Sequence, residues 1–142
     1  MPLMYIRIIY LILFAGLITL SSCSKNTDLS DLVKRKGIVY KKTTNELFSG
    51  MAVSYYEKSK ENKKALTEYK NGLIDGLGTT WYKTGEMKAR KNFIKDRLHG
   101  ETIMWYISGQ KKSVETFVKG KQSGRQRYWK KDGSVIKDII IN

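Results

Sequence analysis

TTWYKTGEMKARKNFIKDRLHG, Thr79 to Gly100, holds an aromatic pair, a glycine three residues beyond it, a lysine-rich run and a closing glycine. The same arrangement returns at a spacing of 24 residues: Trp81 falls on Trp105 and then Trp129, and Gly85 on Gly109 and Gly133. Copies open at Gly76, Gly100 and Gly124. An earlier copy from Gly50 runs 26 residues, its excess lying between Tyr56 and Tyr69. A length change with both flanks kept in phase belongs in an exposed turn, since strands do not tolerate it.

Before each central turn stand β-branched and aromatic residues, Thr79-Thr80-Trp81-Tyr82 and Thr102-Ile103-Met104-Trp105-Tyr106, which favour strands. Gly85 and Gly109 sit where a short hairpin with a bulge needs a positive φ. A second turn is expected to close at Asp75-Gly76, His99-Gly100 and Ser123-Gly124. One hairpin of this length cannot bury enough apolar surface to stand alone in water, so the copies must pair edge to edge. The predicted fold is all-β: an elongated single-layer sheet of successive antiparallel β-hairpins, preceded by a helical signal peptide. Pairing would form three rows of rings: Tyr55, Trp81, Trp105 and Trp129; Tyr56, Tyr82 and Tyr106; and Tyr69, Phe93 and Phe117. Stacking of neighbouring rings would add about 0.5–1.5 kcal/mol per pair. Lys130 holds the fourth tyrosine position, as suits an end copy facing water. Val135-Ile136 and Ile139-Ile140-Ile141 read as a closing strand whose edge invites association unless covered.

Ahead of the repeats, Ile8 to Leu20 is an uncharged apolar run behind Arg7, too short for a span of about 20 residues. It reads as a signal peptide over residues 1–22. Leu20-Ser21-Ser22-Cys23 resembles the lipobox of bacterial lipoproteins. That resemblance implies a diacylglycerol thioether on Cys23 and release of Met1 to Ser22, with residues 23–36 as a tether and 37–142 as the repeat domain, in copies near 50–75, 76–99, 100–123 and 124–142. Two or three acyl chains anchor stably where one does not, so the expected partner of Cys23 is a membrane. The expected place is the bacterial envelope, at the outer membrane because no aspartate follows Cys23 directly. A single cysteine makes no internal disulfide.

Lys and Arg number 27 against 13 Asp and Glu, a formal charge of +14, and loss of Arg7 with the leader leaves +13. Such a balance favours anionic partners, and Lys88, Arg90, Lys112, Lys130 and Lys131 are the candidate basic binding face. Lysines interleaved with aromatics also arise on any strand with one packed and one wet face, and an export signal removes most nucleic acid from reach, so no nucleic-acid partner is expected. His99, directly before a boundary glycine, reads as a polar turn residue. With one histidine and acidic residues scattered over the repeat phases, no catalytic set, metal site or cofactor site emerges.

Aromatic pairs, a glycine three residues on and boundary glycines resemble the MORN repeat, in particular the bacterial variant of the YwqK antitoxin family. The opening segment Asp31 to Tyr40, followed by Leu47-Phe48-Ser49-Gly50, resembles the start of that family, with Ser49 in place of its usual threonine. The similarity runs from Asp31 to Asn142. It implies a non-enzymatic scaffold that binds a protein partner, such as a toxin, in an immunity-like role. A lipobox departs from that pattern, because neutralising a toxin that attacks nucleic acid requires a cytoplasmic protein. The alternative is a structural or adhesive envelope component that meets anionic lipid or polysaccharide by charge.

Overall fold

The computed structural model describes residues 26–142. The signal peptide and Cys23 lie outside them. From Lys63 onward the chain is a run of strands: β5 (Lys63–Lys70), β6 (Leu73–Trp81), β7 (Met87–Ile94), β8 (Arg97–Trp105), β9 (Lys111–Val118), β10 (Lys121–Trp129) and β11 (Val135–Ile141). Ahead of it come β1 (Thr27–Asp28), a single 3-10 turn (Leu29–Asp31), β2 (Leu32–Arg35), β3 (Ile38–Lys41) and β4 (Gly50–Tyr55). Nine strands form one open sheet in the order β1-β4-β5-β6-β7-β8-β9-β10-β11, and β2 and β3 form a separate hairpin. All neighbours in the large sheet are antiparallel except β1 and β4. The protein is therefore all-β, an extended sheet of successive hairpins, as the repeat demands.

Two kinds of turn alternate. On one side, two-residue turns with both φ angles positive join β5 to β6 at Asn71 and Gly72, β7 to β8 at Lys95 and Asp96, and β9 to β10 at Lys119 and Gly120. Both central residues are left-handed, the geometry whose twist matches that of paired strands. On the other side, Tyr82 N donates to Glu86 O and Gly85 N to Tyr82 O, and Gly85 takes φ +103 where the expected bulge requires it. The two extra residues of the first copy fall within the corresponding turn between β4 and β5, where Tyr56 N reaches Asn62 O at 3.0 Å.

The second turn differs from its expected position. Asp75-Gly76, His99-Gly100 and Ser123-Gly124 lie inside β6, β8 and β10, and the chain reverses about four residues earlier. Their glycines take positive φ at register irregularities in the strand pairing, so they are bulges. Bulge and turn carry the same glycine signal; Asn71-Gly72 and Lys119-Gly120 are turns with glycine, while Lys95 and Asp96 make the same turn without one. The expected tether also changes: Thr27 to Arg35 is strand and 3-10 turn, with Leu32 buried. Asp28, whose carboxylate meets Lys60 Nζ at 2.7 Å, ties this segment to the enlarged first turn.

A small core sits at this end. Leu32 and Val39 from the β2–β3 hairpin, Phe48 and Ala52 cluster, with Tyr69 against them. Phe48 is 2% exposed and its ring lies 5.7 Å from that of Tyr69, tilted by 58°. Three backbone bonds tie the hairpin, the segment at Phe48 and the β5–β6 turn together: Val39 N to Gly72 O, Gly72 N to Phe48 O and Phe48 N to Val39 O. A Cβ at Gly72 would lie 2.5 Å from Ile38 Cγ2 and 2.8 Å from Val39 O, on a backbone at φ +78. Gly85, also at positive φ, faces open space. Thermal denaturation should therefore separate them: Gly72→Ala loses about 2–4 kcal/mol, from overpacking added to left-handed strain, and Gly85→Ala about 1 kcal/mol.

Candidate functional site

Residues that pair across strands share a face. One face carries Ala65, Thr67 and Tyr69 of β5, Gly78 and Thr80 of β6, Ala89, Lys91 and Phe93 of β7, and Thr102 and Met104 of β8. Small side chains in its middle and rings at its margin leave a groove of about 440 Å³ across these strands. The opposite face carries Val53, Leu66, Thr79, Arg90, Ile103, Val114 and Arg127 in one row. At its first end the groove face is covered by Leu32 and Val39 of the β2–β3 hairpin together with Phe48, which cluster with Ala52 and Tyr69.

Along one rim of the groove a three-part contact repeats. Pairing of β5 with β6 ends at Ala65 and Thr80, which leaves Trp81 without a partner on that side. The Tyr56 hydroxyl, from the turn before β5, donates to Trp81 O at 2.7 Å. Tyr82 does the same to Trp105 O and Tyr106 to Trp129 O, each at 2.8 Å. Each phenol thus satisfies a carbonyl one copy ahead. Over each ring stands an ammonium from the intervening strand: Lys64 5.8 Å from Tyr56, Lys88 5.5 Å from Tyr82 and Lys112 5.8 Å from Tyr106. At exposed sites such contacts are worth about 0.5–1 kcal/mol. The fourth copy has Lys130 and Ile136 in place of tyrosine and lysine, and no further tryptophan carbonyl to reach.

The expected ring-on-ring rows do not form. Phe48 with Tyr69 is the one aromatic pair among the described residues. Rings of equal phase belong to strands two apart, about 9.5 Å at the usual strand spacing, beyond the 4.5–7 Å range of ring contact. Lysine fills the interval on the tyrosine row.

The five candidate basic residues do not make a single face. Lys88 and Lys112 stand over tyrosine rings, and Lys88 lines the groove. Arg90, paired with Thr79 and Ile103, points to the other face. Lys130 and Lys131 lie in the last hairpin turn, where Lys130 N donates to Ser134 O. Sequence reasoning missed Lys64, although it keeps the 24-residue phase of Lys88 and Lys112. His99 is in β8 beside a bulge, not in a turn. Among the described residues no three His, Cys, Asp or Glu side chains gather as a metal site would need.

The far end of the sheet is held by charge. Arg125 donates to both Asp138 oxygens at 2.8 Å, and Arg127 Nε to Oδ2 at 2.9 Å, bridging β10 to the edge strand β11. On that edge Val135, Ile136 and Ile140 are exposed, as expected of a closing strand that no described element covers. No family model, no curated protein and no solved structure matches this chain.

Hydrogen bonds from Arg125, and then Arg127, hold the Asp138 carboxyl well below its ordinary value of 3.8. A lowered folded-state pKa stabilises the fold at neutral pH, and that contribution is lost as the pH falls from the ordinary value through the lower, folded one. In melts across pH, Asp138→Asn should be less stable than the parent at neutral pH, with the difference shrinking below pH 3.8. Removing one phenol tests the repeated contact. Tyr82→Phe and Tyr106→Phe each leave a tryptophan carbonyl without its donor and should each cost about 1 kcal/mol in chemical denaturation.

Proposed function

We propose that this chain is a non-enzymatic binding scaffold of the bacterial envelope, which holds an extended segment of a protein partner along the groove face. The observation that carries the reading is the groove, about 440 Å³, with Tyr56, Lys64, Trp81, Lys88 and Phe93 among its lining residues. Its apolar floor offers burial to alternate side chains of an extended segment, as peptide grooves do. The lysines of its rim favour acidic residues in that segment. The lipobox reading of Cys23 supplies the membrane anchor, and the resemblance to the YwqK antitoxin family makes a toxin one candidate partner.

Affinity capture from detergent-solubilised envelopes tests this. The parent chain should retain a stoichiometric protein partner at about 0.5 M salt, where interactions between exposed charges are strongly screened. Lys64→Glu/Lys88→Glu/Lys112→Glu should lose it. Cys23→Ser should keep the interaction while releasing the chain from the membrane fraction. Capture that vanishes at this salt in the parent chain, or that ignores the three reversals, overturns the groove as the binding face.

A further inference from the structure

On the face opposite the groove, between the turn after β7 and the turn after β9, lies a second cleft of about 340 Å³. Ile94, Lys95, Arg97, His99 and Lys119 line it, and no carboxylate does. Arg97 pairs with Ile94 in the strand ladder and sits between the two turns, with Lys95 on one side and Lys119 on the other. None of Lys95, Arg97 and Lys119 makes an ion pair among the described residues. Asp96, the one acid in these two turns, is drawn away: its Oδ1 accepts from Ile74 N at 2.7 Å, in the preceding hairpin.

Arginine and histidine join the lysines at this junction, a combination that the neighbouring copies lack. One copy earlier, the positions of Lys95, Arg97 and His99 hold Asn71, Leu73 and Asp75. One copy later they hold Lys119, Lys121 and Ser123, which keeps two cations but neither the forked guanidinium nor the histidine. A solubilising surface has no need to place a lysine, an arginine and a histidine where the preceding copy has an asparagine, a leucine and an aspartate. Cations brought together without a counter-ion repel one another, and a dianion between them relieves that repulsion.

We infer that this cleft binds a phosphoryl group, either free or as the headgroup of a lipid. The Arg97 guanidinium offers the forked donors that match two phosphate oxygens. Lys95 and Lys119 approach from the two turns as point charges, and the His99 ring adds an N–H donor. The cleft is in the size range of small-molecule sites, about 300–1,000 Å³, with room for more than the phosphate. Ile94, 48% exposed at its wall, would meet the carbon part of an ester. The inference does not depend on the groove, which lies on the other face and involves none of these residues.

The test is calorimetric titration of the full chain in non-ionic detergent at about 0.15 M salt. The probes are inorganic pyrophosphate, dihexanoyl phosphatidic acid and, as the neutral comparison, dihexanoyl phosphatidylcholine. Pyrophosphate or phosphatidic acid should bind and phosphatidylcholine should not. Arg97→Ala/Lys119→Ala should weaken binding about tenfold or more. Lys34→Ala/Lys58→Ala, which removes the same charge elsewhere, should leave it unchanged. Binding of both probes, or of pyrophosphate alone, assigns a free phosphoryl group, whereas binding of phosphatidic acid alone assigns a lipid headgroup. If the double variant does not melt cooperatively, Arg97→Lys, which keeps the charge and removes the fork, should still weaken binding. Equal loss in both double variants, or no heat from either anionic probe, overturns the inference.

Discussion

An unpaired strand edge exposes a row of backbone donors and acceptors, and every other feature of this molecule follows from how that row is satisfied. Each hairpin here pairs its outer strand with the next copy, so that from β4 to β11 every strand but the last has a neighbour on both sides. In each copy the pairing of the long strand with the strand before it stops one residue short of the tryptophan, which leaves that residue's carbonyl without a ladder partner. The tyrosine of the preceding turn closes that gap with its hydroxyl. The aromatic pair of the repeat is thus divided between two duties: the tryptophan ends a strand, and the tyrosine reaches from its own copy to the end of the next. Lysine on the strand between them covers the ring, and the row becomes a chain of alternating phenol and ammonium instead of a stack of rings.

A repeat array has two ends that cannot be alike. At the first, the β2–β3 hairpin folds over the sheet and buries Phe48 against Ala52 and Tyr69, while β1 pairs with the outer side of β4. At the last, β11 is held by the arginine pair on Asp138 and leaves its far side bare. That asymmetry places the groove. The hairpin closes the face at one end, small residues hollow it across β5 to β8, and in the third copy the corresponding floor carries Ser113, Glu115 and Gln126, buried and hydrogen bonded to one another or to the backbone. The charged residues divide likewise, some on the phenols, some in the far turn, and one set drawn together on the opposite face.

The period of 24 residues, the central turns and the closing strand were legible because their signals are local: a glycine at positive φ, β-branched runs, an insertion that respects phase. Gly76, Gly100 and Gly124 were legible as positive-φ positions but not as bulges, because a bulge and a turn ask the same freedom of the backbone. Only pairing with a neighbour distinguishes them. Thr27 to Arg35 read as polar linker because Leu32 and Val33 are too few to mark a strand, and the contacts that order them come from Lys60 and Phe48, distant in sequence. Lys64 kept its phase in plain view, yet its partner ring was unknowable without the strand order.

The unit and its repetition are written along the chain: strand, turn with glycine, strand, recurring at fixed spacing, which physical necessity turns into an open antiparallel sheet because no copy can shelter its own edges. Which side chains meet depends on strand order and register. Residues of equal phase are held two strands apart by backbone hydrogen-bond geometry, so rings that align in the sequence do not touch, and the contacts fall instead to lysines from the strand between. The same spacing separated Lys88 from Arg90 onto opposite faces and gathered Lys95, Arg97, His99 and Lys119 around one cleft, because register and turn position, not neighbourhood along the chain, set the distances between charges.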